Sequence, residues 1–456
     1  DRVALNSDQH GSVAPKYSFI KSAQKYSADL FNKEEKMYYE LRNDVTICKN
    51  LHEYNLSFIN DNKKCFIQIN KSGYDILSLC TGQYTEKEII NILQNKYKDN
   101  NISEMVLDFI RLFKDNNLLF SNNTQKKENS LRILGSSEYY CPTFITLELT
   151  NNCPLNCKHC YLGKKKNIYI NKNNLTNILK QIVDLGISFV QLTGGEVTTY
   201  PYLEYAIDYL TKHYIQVNVS TSGYDCNDNI IEVIKKIGKT GGFVRVSLDG
   251  LENYHNNIRQ NKNSFKNAIS FITKIISYGI PVQVATCVID QNKEELSKLT
   301  NIVKSLGVNR QIFELVYTQG NAKENEMISK YTNNEFLEIL KELSKDYSDD
   351  TFDISTETND QNINCGAGYK IYKISYNLKV TPCVTMEYSL GDLNYETLED
   401  IIKRNYKSFM HLNAPCKKIC GNCQLLDKCE KCISKAMQYK NNIKQCNWYN
   451  TQNAIK

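Results

Sequence analysis

The chain has 456 residues, enough for two or three domains and a large buried core. Its 56 basic and 50 acidic residues leave a net charge of +6, spread too evenly to argue for nucleic acid, and it shows neither an apolar signal core nor a run of eighteen apolar residues that would point to a membrane. Seventeen cysteines in such a chain argue against a secreted disulfide framework and for metal ligation in a reducing, cytoplasmic setting.

Residues 1–42 are left unassigned, and residues 43–122 read as a small separate domain. Short β-prone runs at 44–48, 54–59 and 64–69 come first, and three helical patterns follow. The second helix has a capping box, Thr85 with Glu88, and then Ile89, Ile92 and Leu93 on one face. The third starts near Ser103, with Met105, Val106, Phe109, Leu112 and Phe113 as its apolar stripe. With Asn70-Lys-Ser-Gly-Tyr-Asp-Ile-Leu77 at the junction, this winged-helix pattern resembles the PqqD-like peptide-recognition domains of peptide-modifying enzymes. The resemblance implies that a leader peptide adds as a strand to an exposed sheet edge, with Lys64, Cys65, Phe66, Ile67 and Gln68 as candidate contacts. A DNA-binding winged helix is the competing reading, but the third helix mixes Glu104, Asp108, Arg111, Lys114 and Asp115 and has no basic face.

Residues 123–140 read as a polar linker. From 141 to 330, strands near 144–150, 187–193, 215–220, 243–248, 281–288 and 312–317 alternate with amphipathic helices, such as the one carrying Leu175, Ile178, Leu179, Ile182 and Val183. Six β/α units predict an α/β fold, an open, partial TIM-like barrel whose ligands sit at the carboxyl ends of the strands.

After the first of these strands, Cys153-Pro-Leu-Asn-Cys157-Lys-His-Cys160 spaces three thiols CxxxCxxC. Three thiolates can hold three irons of a 4Fe-4S cube and leave the fourth open, whereas structural zinc wants four protein ligands. A zinc knuckle short of a ligand, or unrelated core thiols, are the alternatives. Thr193-Gly-Gly-Glu196, Ser220-Thr-Ser-Gly223 and Val246-Ser-Leu-Asp-Gly250 follow at later strand ends. Together these stretches resemble the radical S-adenosylmethionine (SAM) superfamily. The resemblance implies SAM on the open iron, with Gly194, Gly195 and Glu196 at its amino group, Ser222 and Ser247 at its ribose and Arg259 at its carboxylate. Ser222 stands where relatives carry Asn, and His159 where they carry an aromatic residue, which makes it a packing position. His255 reads as structural, and Lys164 to Lys166 as a solvated loop.

Residues 331–364 read as a connecting helical segment. Residues 365–450 hold Cys365, Cys383, Cys416, Cys420, Cys423, Cys429, Cys432 and Cys446, too many in too short a span for packing. This pattern resembles the SPASM domain, which implies two auxiliary clusters and so three 4Fe-4S clusters in all. By that resemblance Cys420, Cys423, Cys429 and Cys446 close the second auxiliary cluster, and Cys365, Cys383 and Cys432 leave one iron of the first uncapped unless Cys416 closes it. Paired CxxC spacings suit zinc as well.

The combination resembles the sactipeptide synthases. It implies an oxidoreductase that binds a cysteine-containing precursor peptide through its leader and joins cysteine sulfur to an acceptor α-carbon. An external donor such as flavodoxin or ferredoxin would supply electrons. Bonds to β- or γ-carbons, carbon-carbon crosslinks and epimers are alternatives with the same cofactors, and a leader-binding zinc protein is the non-enzymatic one. Cys48, Cys65, Cys80, Cys141, Cys226 and Cys287 stand singly and read as reduced core thiols.

Overall fold

The N-terminal unit, which closes at Glu138, is built from hairpins and three helices. The computed structural model describes residues 36–51, 53–128, 131–356, 364–429 and 432–452. Strands β1 (Tyr38–Leu41), β2 (Thr46–Asn50), β3 (Glu53–Asn60) and β4 (Lys63–Ile69) precede α1 (Lys71–Leu79) and β5 (Thr81–Thr85). Then come α2 (Glu86–Tyr97), α3 (Ser103–Asp115), β6 (Leu119–Asn122) and β7 (Arg132–Ser136). One sheet has the order β4-β3-β2-β7 and the other β5-β1-β6. The β3–β4 hairpin turns through Asp61 and Asn62, both at positive φ, as a two-residue turn between twisted strands requires. Thr85 and Glu88 cap α2 reciprocally. Ile47, Leu56, Leu77, Ile89, Val106 and Phe113 meet in the core.

Two sequence expectations need correction here. On α3 the buried positions are Val106, Ile110 and Phe113, whereas Met105 is 52% and Leu112 46% exposed, and Ile92 on α2 is also at the surface. The helix turns toward the core the face that continues Ile102, since Ile102, Val106 and Ile110 repeat at the spacing of one turn. The span read as a linker contains β7, parallel to β2, and its Leu131 and Ile133 pack against the core as linker residues would not. β1 falls within the span left unassigned, and residues 1–35 lie outside the described residues.

From Tyr139 onward, β8 (Phe144–Glu148), β9 (Phe189–Thr193), β10 (Gln216–Thr221), β11 (Val244–Ser247), β12 (Val282–Val288) and β13 (Arg310–Leu315) are parallel neighbours in chain order. The crossovers that parallel pairing demands are α4 (Lys172–Asp184), α5 (Leu203–Lys212), α6 (Asp228–Lys235), α7 (Glu252–Arg259), α8 (Ser264–Ser277) and α9 (Lys293–Ser305). Val219, Val246 and Val284 are wholly buried, as helix-covered parallel strands should be.

The chain continues through α10 (Gly320–Glu324) and α11 (Asn333–Tyr347) to β14 (Asp353–Ser355), which joins parallel to β13. The segment expected to be helical over 331–364 therefore contains a strand as well as a helix; its residues 357–363 lie outside the described residues. β15 (Ile371–Ile374) crosses to the opposite side and pairs parallel to β8, and β16 (Lys379–Thr381) and β17 (Gly391–Asp392) follow antiparallel. The ten-stranded sheet thus runs from β14 to β17 and is open. Five helices complete the chain, α12 (Leu398–Met410), α13 (Lys417–Cys420), α14 (Leu426–Cys429), α15 (Ile433–Tyr439) and α16 (Asn447–Thr451). Among the described residues, no helix is long and apolar enough to cross a membrane.

Candidate metal and cofactor site

The loop carrying Cys153, Cys157 and Cys160 leaves the carboxyl end of β8 and is clamped from two sides. On one side the Gly195 amide donates to the Thr150 carbonyl at 2.7 Å and the Glu196 amide to the Asn152 carbonyl at 2.8 Å. A Cβ on Gly195 would stand 2.2 Å from the Asn152 carbonyl oxygen and 2.9 Å from the Cys153 Cβ, so only glycine permits this pairing. The glycine expected at a cofactor's amino group thus first serves the cysteine loop itself. On the other side the Asn321 amide donates to the Cys160 carbonyl at 2.8 Å, and its side chain to the Cys157 carbonyl at 3.0 Å.

Between these clamps the Cys157 thiol is within electrostatic reach of both Cys153 and Cys160. Burial pushes the Cys153 thiol up to about 11 and raises Cys157 as well, although the Arg259 guanidinium opposes the rise at Cys157. Metal must displace these protons to bind. Among the described residues no three His, Cys, Asp or Glu side chains close on a single-ion geometry. A four-iron cube spans more space than one ion and takes its thiolates from spaced positions such as these, so the donor set fits it.

Glu196 is wholly buried, and its carboxylate accepts hydrogen bonds from Thr198, from the Thr221 hydroxyl at 2.6 Å and from both the amide and hydroxyl of Ser222. It ties the Gly-Gly-Glu turn to the end of β10, and Ser222 is a partner in that tie. Ser247 ends β11 in register with Ala285. Arg259 donates through Nε to the Asp249 carboxylate at 2.7 Å and points Nη1 at the Cys157 sulfur, 3.9 Å away.

Asp249, which the sequence reading left unassigned, is the hub of this side. Its carboxylate also accepts from the Cys287 amide at 3.3 Å and lies 3.6 Å from His159 Nε2. Burial alone would raise Asp249, but Arg259 and the two histidines hold it well below the ordinary carboxylate range. Burial pushes His159 and His255 down to about 4. His255 is satisfied on both ring nitrogens, by the Asp249 amide and the Ser264 hydroxyl, whereas His159 Nδ1 is buried without a hydrogen-bond partner.

A second unassigned group lies on β8 and β15. Glu148 is 1% exposed and accepts from the Tyr161 hydroxyl at 3.0 Å, and the Lys373 ammonium lies 3.4 Å from the same oxygen. Burial raises the Glu148 carboxyl against the pull of Lys373 and Tyr161.

The C-terminal thiols form two sets. Cys365, Cys383 and Cys432 are within electrostatic reach of one another. Cys420, Cys423, Cys429 and Cys446 line one cavity, walled also by Ile443 and Trp448. Cys416 lies with the second set, its carbonyl accepting the Cys420 amide at 2.8 Å. In the N-terminal unit, Lys64, Cys65, Phe66, Ile67 and Gln68 lie on β4, the end strand of its sheet.

Residues 147–303 match the model of the Radical SAM superfamily, and residues 365–424 match that of SPASM, an iron-sulfur cluster-binding domain. The chain is 24% identical over 405 residues to the antilisterial bacteriocin subtilosin biosynthesis protein AlbA of Bacillus subtilis, covering 84% of this chain and 88% of that protein. It is 26% identical to the sporulation killing factor maturation protein SkfB of Bacillus subtilis, over 60% of this chain and 68% of that protein. Streptococcus suis SuiB bound to precursor peptide SuiA shares the fold, with a TM-score of 0.65 and 14% identity over 89% of this chain and 97% of that one.

Proposed function

We propose that this chain, which carries a radical SAM domain followed by a SPASM domain, is a maturase of a ribosomally made peptide that joins cysteine sulfur to the α-carbon of an acceptor residue. Relatedness to two proteins of bacteriocin biosynthesis and killing-factor maturation supports the substrate class, as does the fold shared with a protein solved with its precursor peptide. The observation that carries the thioether assignment is the place of Cys416. It lies one helical turn before Cys420, whose amide donates to its carbonyl and whose thiol it reaches electrostatically, which supports keeping it with the second set. A three-thiol iron site keeps a position for a peptide thiolate, a soft ligand suited to it.

Cys153, Cys157 and Cys160 would hold the SAM cluster, and Cys420, Cys423, Cys429 and Cys446 the closed auxiliary one. When bound, SAM and its reduced cluster would supply hydrogen-abstracting radical chemistry at the acceptor carbon, SAM leaving as methionine and 5′-deoxyadenosine, and the auxiliary clusters would take up the electron released as sulfur joins carbon. Gly194, Gly195, Glu196, Ser222 and Ser247 shape the SAM cleft, and Arg259 sets positive charge beside Cys157. The end strand β4 offers Lys64 to Gln68 to a leader peptide, making presentation of the core peptide intramolecular. Electrons come from a flavodoxin- or ferredoxin-like carrier.

The test is anaerobic reaction with a cysteine-containing precursor peptide whose acceptor residues carry deuterium on the α-carbon. The proposal expects loss of two hydrogens per bridge, loss of the α-label and loss of thiol alkylation. Retained α-deuterium in a crosslinked product would move the bond to another carbon, and free thiols in that product would make it a carbon-carbon crosslink.

A further inference from the structure

Tyr161 directly follows Cys160 of the first cysteine loop, and Val384 directly follows Cys383 of the auxiliary set. A short polar chain joins them. The Tyr161 hydroxyl donates to Glu148, Lys373 lies 3.4 Å from the same carboxylate oxygen, and Lys373 Nζ donates onward to the Val384 carbonyl at 3.3 Å. A second link runs beside it. Asn321 and Gly320 lie against the Cys160 carbonyl, the Gln319 side chain donates to the Thr385 carbonyl, and Ser434, two residues after Cys432, donates to that carbonyl at 2.8 Å. Both links end on residues next to proposed cluster ligands.

We propose that Glu148 and Lys373 are positioning residues that fix the separation of the two cysteine loops, so that the peptide carbon activated at the first faces the thiolate held at the second. This rests on the thioether reading above. A buried ion pair contributes little net stability over an apolar pair of similar volume, because desolvation offsets the Coulombic gain. What it supplies is directional contact. Glu148 and Lys373 stand on neighbouring parallel strands and the same face of the sheet, Lys373 being in register with Thr146. The carboxylate and ammonium are therefore anchored on rigid elements, while each reaches a cysteine loop, Glu148 through the Tyr161 hydroxyl and Lys373 through the Val384 carbonyl.

The experiment compares anaerobically reconstituted wild type, Glu148→Gln, Lys373→Met, Lys373→Arg and the Glu148→Gln/Lys373→Met double variant. It reads iron per chain, the magnetic coupling between reduced clusters by pulsed EPR, and crosslinked peptide formed per 5′-deoxyadenosine. Glu148→Gln and Lys373→Met should lower that ratio by about tenfold or more and alter the coupling at wild-type iron content, since a misplacement of about 1 Å can cost about 10²-fold. Lys373→Arg, which keeps charge and reach, should recover most of the ratio. The double variant should be no worse than either single, as expected of one unit. Unchanged ratio and coupling would overturn the proposal, and so would iron loss in every variant, Lys373→Arg included, which would make the pair a fold-stabilising contact only. If wild type forms 5′-deoxyadenosine but no thioether, the functional reading fails, and the coupling alone then judges the pair.

Discussion

Asp249 shows how much of a site one side chain can hold. Its carboxylate faces Arg259, His159, His255 and the Cys287 amide, and its carbonyl accepts from the Gln291 side chain at 2.6 Å. Asp249→Asn would leave the Arg259 guanidinium buried without its counter-charge, and breaking such a pair costs about 3–5 kcal/mol. Denaturant unfolding of the metal-free chain should show a loss of that order, and a loss below about 1 kcal/mol would remove Asp249 from its central place. The candidate cysteine loops were legible because ligation chemistry writes itself as short spacings. Asp249 was not, since its partners come from three separate stretches, at His159, at His255 to Arg259 and at Cys287 to Gln291, and an Asp before Gly250 looks like a turn residue. Glu148 did leave a signal, a lone carboxylate in the apolar run from Phe144 to Leu149, whose meaning depended on a lysine more than two hundred residues away.

At the level of elements, the six central strands and their helices were visible as alternating patterns, because burial on both faces leaves continuous apolar runs. Helix phase was harder to read. On α3, apolar residues occupy more of the circumference than the core accepts, so the stripe read from the sequence took in Met105 and Leu112 and passed over Ile110, which packing buries. Ile110→Ala should therefore cost the N-terminal unit about 2–5 kcal/mol, whereas Met105→Ala should stay within about 0.5 kcal/mol. Urea unfolding of the full chain, followed by a probe in that unit, distinguishes the two. Strand β7 escaped notice for a related reason: it pairs in parallel with a strand distant in sequence, and a short strand of that kind carries no hairpin turn to announce it.

Across the whole molecule, the three proposed sets of cysteine ligands have a membership that metal analysis can read. Cys420→Ala should lower iron by about one cluster's share, about a third of the total if each of three sites holds a 4Fe-4S cube. Cys416→Ala should leave iron and the EPR of the first auxiliary site unchanged; loss of that site's signal would make Cys416 its cap and withdraw the peptide thiolate from it. The pairing of β15 with β8 reaches further than the sheet it extends. A cysteine-rich tail hung on a tether could be trimmed or traded between enzymes as a cassette, but this one is sewn through its seam to the strand that carries the first cysteine loop. Cutting it away would leave β8 with a raw backbone border exposed, so the truncated enzyme should aggregate rather than survive as a simpler catalyst.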